Sequence, residues 1–144
     1  MTKTAFALLL ILSGSAMAAD PYMVINGTSS HFGVSGYNEQ NTGIGAEVRK
    51  LDDFCTAGVL KNSMSDTSIY LGCGHRWWAG SRTRIGAGFF AGAVRYPSSK
   101  LNTLPALLPV LSVESRNFGV NLIVIPAVTE DMVTAVLAQA YIKL

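Results

Sequence analysis

Beyond residue 18 the chain keeps long apolar stretches, such as 85–94 and 104–113, yet a Gly, Pro, Asn or charged residue interrupts every run. A membrane-spanning helix needs about 20 consecutive apolar residues, so helical spanning is excluded for this part of the chain. Lipid offers no partner to backbone polar groups, and the remaining way to satisfy them internally is a closed β-barrel. A barrel also accepts polar residues at every second position, because those positions face the lumen.

The first 18 residues read as a cleaved export signal. Lys3 supplies a positive start, residues 5–12 an apolar stretch, and Ala16-Met17-Ala18 a cleavage site. Removing 18 of the 144 residues leaves 126, the single domain 19–144. With 14% charged residues and a formal net charge of +2, the chain has neither a nucleic-acid footprint nor a disordered, charge-rich tail. Cys55 and Cys73 enter a compartment that permits disulfides. A lateral bridge between them requires that they lie opposite each other on adjacent strands, and a one-residue slip would abolish it.

Alternating segments bounded by turn residues number about eight: 22–32, 43–51, 54–62, 67–77, 83–95, 107–115, 118–126 and 133–144. The expected fold is all-β, an eight-stranded antiparallel up-and-down outer-membrane β-barrel. Strands of about 9–11 residues leave little chain for connections. In 69–74, Ile69, Leu71 and Cys73 are assigned to lipid, and Tyr70, Gly72 and Gly74 to a lumen in which the glycines leave room. Trp77-Trp78 is read as part of an interfacial aromatic belt. Hairpin order puts loops 32–42, 63–66, 96–104 and 129–132 on one rim, and tighter turns around 52–53, 79–82 and 116–117 on the other.

Only two histidines are present. His75 lies roughly 40 Å along a strand from Ser63, by the rise per residue, and cannot serve it. His31 ends the first strand and Asn62-Ser63 the third, so all three reach the same rim. There the imidazole can act as general base while Ser63 attacks an ester carbonyl. Asn62 can orient the ring or donate to the developing oxyanion. Metal-ligand spacings, phosphate-cradling loops and dinucleotide fingerprints are absent from the sequence, so no metal or cofactor is expected.

The sequence also resembles the outer-membrane lipid A palmitoyltransferase family, the PagP-like enzymes. The residues that carry the resemblance are His31, Tyr37-Asn38-Glu39, Lys61-Asn62-Ser63, Gly72-Cys73-Gly74, Gly86-Ala87-Gly88-Phe89 with Ala91-Gly92, Pro109 and Ile125-Pro126. The intervals from Ser63 to Gly74 and from Pro109 to Pro126 match without a gap. The resemblance implies an eight-stranded barrel that holds one phospholipid acyl chain. It puts His31 and Ser63 in catalytic positions, with Asn62 where the family usually has an aspartate. Gly74 would be the floor of the acyl pocket, and Pro109 and Pro126 would open lateral lipid access. The family's leading amphipathic helix has no counterpart here.

The expected activity is transfer of a palmitoyl-type chain from a phospholipid donor to lipid A, by a monomer in the outer membrane of a Gram-negative bacterium. A lipid A deacylase or phospholipase on the same barrel, or a non-catalytic envelope barrel, are the alternatives. A soluble lipocalin-like barrel would need polar outward faces, which Ile69, Leu71 and Cys73 deny.

Overall fold

The computed structural model describes residues 19–97, 102–127 and 133–144. The expected export signal, loop 129–132 and part of loop 96–104 lie outside the described residues. Eight antiparallel strands close into a barrel in sequence order: β1 (Asp20–His31), β2 (Gln40–Lys50), β3 (Asp53–Lys61), β4 (Thr67–Ala79), β5 (Thr83–Arg95), β6 (Thr103–Ser115), β7 (Phe118–Ile125) and β8 (Ala135–Lys143). β1 closes onto β8 from Tyr22↔Lys143 to His31↔Ala135. The β6 strand begins four residues before the sequence pattern indicated, passing through Pro105, because its ladder there is made to β5 alone. Short turns with left-handed Leu51, Arg116 and Gly80 join β2–β3, β6–β7 and β4–β5 at one end. The longer connections gather at the other.

Burial alternates along each strand. Ile69 and Leu71 are exposed while Ser68 and Tyr70 are buried, so the apolar face is outward and meets lipid. Cys55 and Cys73 are directly cross-strand neighbours and form a disulfide. The adjacent tryptophans separate by the same rule. Trp77 is exposed beside Phe89 and His75, whereas the guanidinium of Arg84 lies 4.6 Å over the ring of Trp78 and that of Arg49 6.0 Å from it. Only Trp77 belongs to the outer aromatic band.

Lumenal glycines do not leave open space at every level. A Cβ on Gly74 would come within 2.6 Å of the Phe54 ring, one on Gly72 within 2.6 Å of Phe90, and one on Gly45 or Gly58 within 2.5 Å of the Tyr70 hydroxyl. Gly58, Gly72 and Gly74 accommodate an aromatic ring from a neighbouring strand, the cross-strand packing that stabilises glycine-rich sheet, and Gly45 admits the Tyr70 hydroxyl from two strands away.

The end with the short turns is plugged by charge. Glu47 accepts two hydrogen bonds from Arg76, at 2.9 and 2.8 Å, and another from Arg49. Arg49 and Arg84 both donate to Glu114. The Arg49 guanidinium stacks on Tyr22 and Tyr141, and that of Arg76 on Phe54. A ladder from Ser112 through Asn121 and Gln139 to Asn26 and Tyr70 crosses the lumen above it. Removing one partner of a buried pair leaves the other charge uncompensated. Arg76→Leu should therefore cost about 3 kcal/mol in reversible urea unfolding in lipid vesicles. A cost below about 1 kcal/mol, the value of a solvated pair, would contradict this account of the plug.

Candidate functional site

Strict alternation from Tyr22, Val24 and Asn26 would turn His31 outward. Instead the β1 ladder to β8 slips between Asn26↔Gln139 and Ser29↔Leu137. This bulge changes the parity of the strand, so that Asn26 and Ser29 are both buried and the His31 side chain is only 3% exposed. Bulges commonly re-aim side chains in this way beside functional sites.

On β3, alternation from Phe54 carries Leu60 and then Asn62 to the lumen side, and the loop to β4 begins there. The Asn62 oxygen accepts the N–H groups of Met64 and Asp66, both at 2.9 Å, and its amide nitrogen donates to Ser68 Oγ at 3.1 Å. Asn62 therefore spends its side chain on shaping the loop that presents Ser63. That loop is also tied to the β1–β2 connection. The Asn38 N–H donates to the Ser63 carbonyl at 2.8 Å, and the Asn38 side chain donates to the Asn62 carbonyl at 3.1 Å.

These constraints bring His31 Nε2 and Ser63 Oγ to 2.7 Å. With Nε2 unprotonated, the serine hydroxyl donates to it, the geometry in which an imidazole can take a proton from a nucleophile. The Tyr37 ring stacks on the imidazole with centroids 4.9 Å apart. The phenol of Tyr96 lies close to Ser63, and both residues line the same cavity. Burial pushes that phenol above its ordinary titration range, against the lowering effect of the Ser63 contact, so it is a neutral hydrogen-bond group at physiological pH. His75 is at the opposite end, 2.7 Å from Asp53.

Below this rim lies a cavity of mainly apolar lining. Its wall includes Leu60, Val94, Leu104, Ile123 and Leu137, and its deeper part meets Phe54, Phe90, Val110 and Arg76. Gly74 is not among the lining residues; the Phe54 ring stands over it. At this level the floor is aromatic.

The same cavity reaches the barrel wall between β6 and β7. Their ladder runs from Ser115↔Phe118 only as far as Val110↔Ile123, whereas β5 pairs β6 up to Arg95↔Thr103. Pro109 follows directly where the β6–β7 ladder stops, and proline has no N–H to extend it. Pro105, Leu107, Ile125 and Pro126 line the cavity at this break, and Leu107 is also exposed on the outer surface. Pro109 and Pro126 thus border one interruption in the wall.

No protein-family model and no curated protein matches the chain. The fold is that of a small outer-membrane β-barrel.

Sequence reading brought out His31, Ser63 and the two prolines but missed Tyr96, Phe54 and the clamp made by Asn38. The clamp had a signal in Gly33 and Gly36, whose positive φ values let the first connection fold back. Replacing Asn62 by alanine should remove the partners of two loop amides. Exchange of the Met64 and Asp66 amides should accelerate about fivefold, as loss of a roughly 1 kcal/mol hydrogen bond implies. Unchanged protection of both would remove Asn62 from its loop-shaping role.

Proposed function

We propose that the protein is an outer-membrane acyltransferase that moves a palmitoyl-type chain from a phospholipid to a hydroxyl of lipid A. The observation that carries this reading is the 2.7 Å approach of His31 Nε2 to Ser63 Oγ at the mouth of an apolar cavity that meets a break in the barrel wall. An ordinary hydrolase site does not need a cavity open to the lipid side. A lipid acyl donor does, since its chain must enter sideways from the membrane.

In this account the donor chain passes the β6–β7 break beside Pro109 and Pro126 and extends toward Phe54 and Phe90. Burial of methylene groups, about 0.8 kcal/mol each, holds the chain with its ester at the rim. His31 takes the Ser63 proton as Oγ bonds to the ester carbonyl carbon. Collapse of that adduct breaks the carbon–oxygen bond of the donor, and the departing glycerol oxygen receives the proton from Nε2. The acceptor hydroxyl then runs the sequence in reverse, giving up its proton to His31 and leaving Ser63 free. In this account the neutral phenol of Tyr96, close to Ser63, donates to the carbonyl oxygen as negative charge develops there.

The export signal of residues 1–18 and a Gram-negative outer membrane complete the proposal, with the monomer as the functional unit. A deacylase would use the same Ser63–His31 pair with water as acceptor.

Mass spectra of lipid A from cells expressing the protein should gain a palmitoylated species that disappears with Ser63→Ala or His31→Ala. Release of free fatty acid without heavier lipid A identifies the hydrolase, and lipid A palmitoylation that persists in both variants overturns the catalytic assignment. Chain length provides a second test. Because Phe54 stands over Gly74, Phe54→Ala should deepen the pocket and shift the transferred chains toward greater length. An unaltered chain profile would show that Phe54 is not the floor.

A further inference from the structure

Ser63 occupies one nitrogen of His31 and leaves the other unexplained. Nδ1 is buried and has no hydrogen-bond partner, and Asn62, whose oxygen already accepts two loop amides, is not its partner. The carboxylate set against Nδ1 is that of Glu39, with Oε1 at 3.9 Å. The same oxygen is 3.4 Å from the backbone nitrogen of His31 and accepts its N–H.

Glu39 is held there by its backbone. Its carbonyl accepts the Ser29 N–H at 2.9 Å and the Thr28 hydroxyl at 2.7 Å, just where the β1 bulge turns His31 inward. The Glu39 side chain is itself 56% exposed, so a rotation of roughly 1 Å reach would bring it from 3.9 Å to the usual charge-assisted distance of about 2.8 Å. Catalytic hydrogen bonds are often long before substrate binds. Other ionisable groups of this rim are Tyr37, stacked on the imidazole, Tyr96, close to Ser63, Asp66 in the β3–β4 loop, and Lys61, whose Nζ donates to the Ser65 carbonyl.

We propose that Glu39 is the positioning residue of the Ser63–His31 pair. It accepts the Nδ1–H of His31, which fixes Nε2 as the acceptor of the serine proton, and it stabilises the imidazolium formed when that proton moves. Glu39 stays ionised throughout and takes no proton itself. The role rests on the proposed use of Ser63 and His31. It supplies from the β1–β2 connection the carboxylate that Asn62 does not provide from the β3–β4 loop.

The tautomer of His31 tests this directly, in full-length protein labelled with nitrogen-15 histidine and held in detergent micelles at a pH where the ring is neutral. His31→Asn assigns the signals against those of His75. Wild type should show the Nδ1–H form, Glu39→Ala a shift toward Nε2–H, and Glu39→Asp a return to Nδ1–H. In acyl transfer, Glu39→Ala should lower kcat about 10²-fold, within the range of general-base effects, with little change in KM, and Glu39→Asp should recover most of it. Glu39→Gln keeps an acceptor and removes the charge, so it should retain the Nδ1–H tautomer while kcat falls. A tautomer unmoved by Glu39→Ala, or an unmoved kcat, overturns the proposal. If wild type transfers no acyl chain, the transferase reading fails and the tautomer alone decides the role of Glu39.

Discussion

Antiparallel pairing of β1 with β8 closes the sheet on itself, and in lipid this closure is what allows the chain to exist without an unpaired edge. Once closed, every strand has an inside and an outside. Apolar Ile69 and Leu71 go out; Ser68, Tyr70 and Arg76 go in. The cost of carrying charged side chains inward is offset by mutual pairing, and the Arg76–Glu47–Arg49 and Arg84–Glu114–Arg49 contacts use both carboxylates and all three guanidinium groups. The barrel consequently has two halves of different chemistry: a charged plug at one end and an apolar cavity at the other.

Departures from regular pairing sit in the cavity half. The β1 bulge changes which face His31 occupies, and the shortened β6–β7 ladder opens the wall beside Pro109. The β1 bulge lies beside the β1–β2 connection, which Asn38 ties to the β3–β4 loop through the carbonyls of Asn62 and Ser63. A regular barrel would have a sealed wall and an outward-facing histidine. The irregularities are what bring an imidazole, a hydroxyl and an apolar cavity together.

Much of this architecture was legible from residue order. Alternation and turn residues located eight strands, with β5 matched at both ends, Thr83–Arg95. Hairpin parity placed His31 and Ser63 on one rim and His75 on the other, since an up-and-down barrel returns each odd connection to the same side. The lateral Cys55–Cys73 bridge remained open because it depends on register, which alternation leaves undetermined by whole steps of two. Glycine at Gly72 and Gly74 suggested empty lumen, yet Phe54 and Phe90 fill that space from adjacent strands. Adjacent Trp77 and Trp78 suggested one belt, although neighbouring residues must point to opposite faces.

The sequence by itself determined the class of fold, because eight alternating apolar segments bounded by turn residues make up most of the chain beyond residue 18, and it determined which rim holds Ser63. Tertiary structure decided the partners of that hydroxyl. Whether His31 faces the lumen depends on a one-residue bulge, and whether Asn62 or Glu39 stands by its ring depends on how two loops fold against each other. Those outcomes follow from hydrogen bonds between residues distant in sequence, Asn38 with Ser63 and His31 with Ser63, which no local pattern encodes.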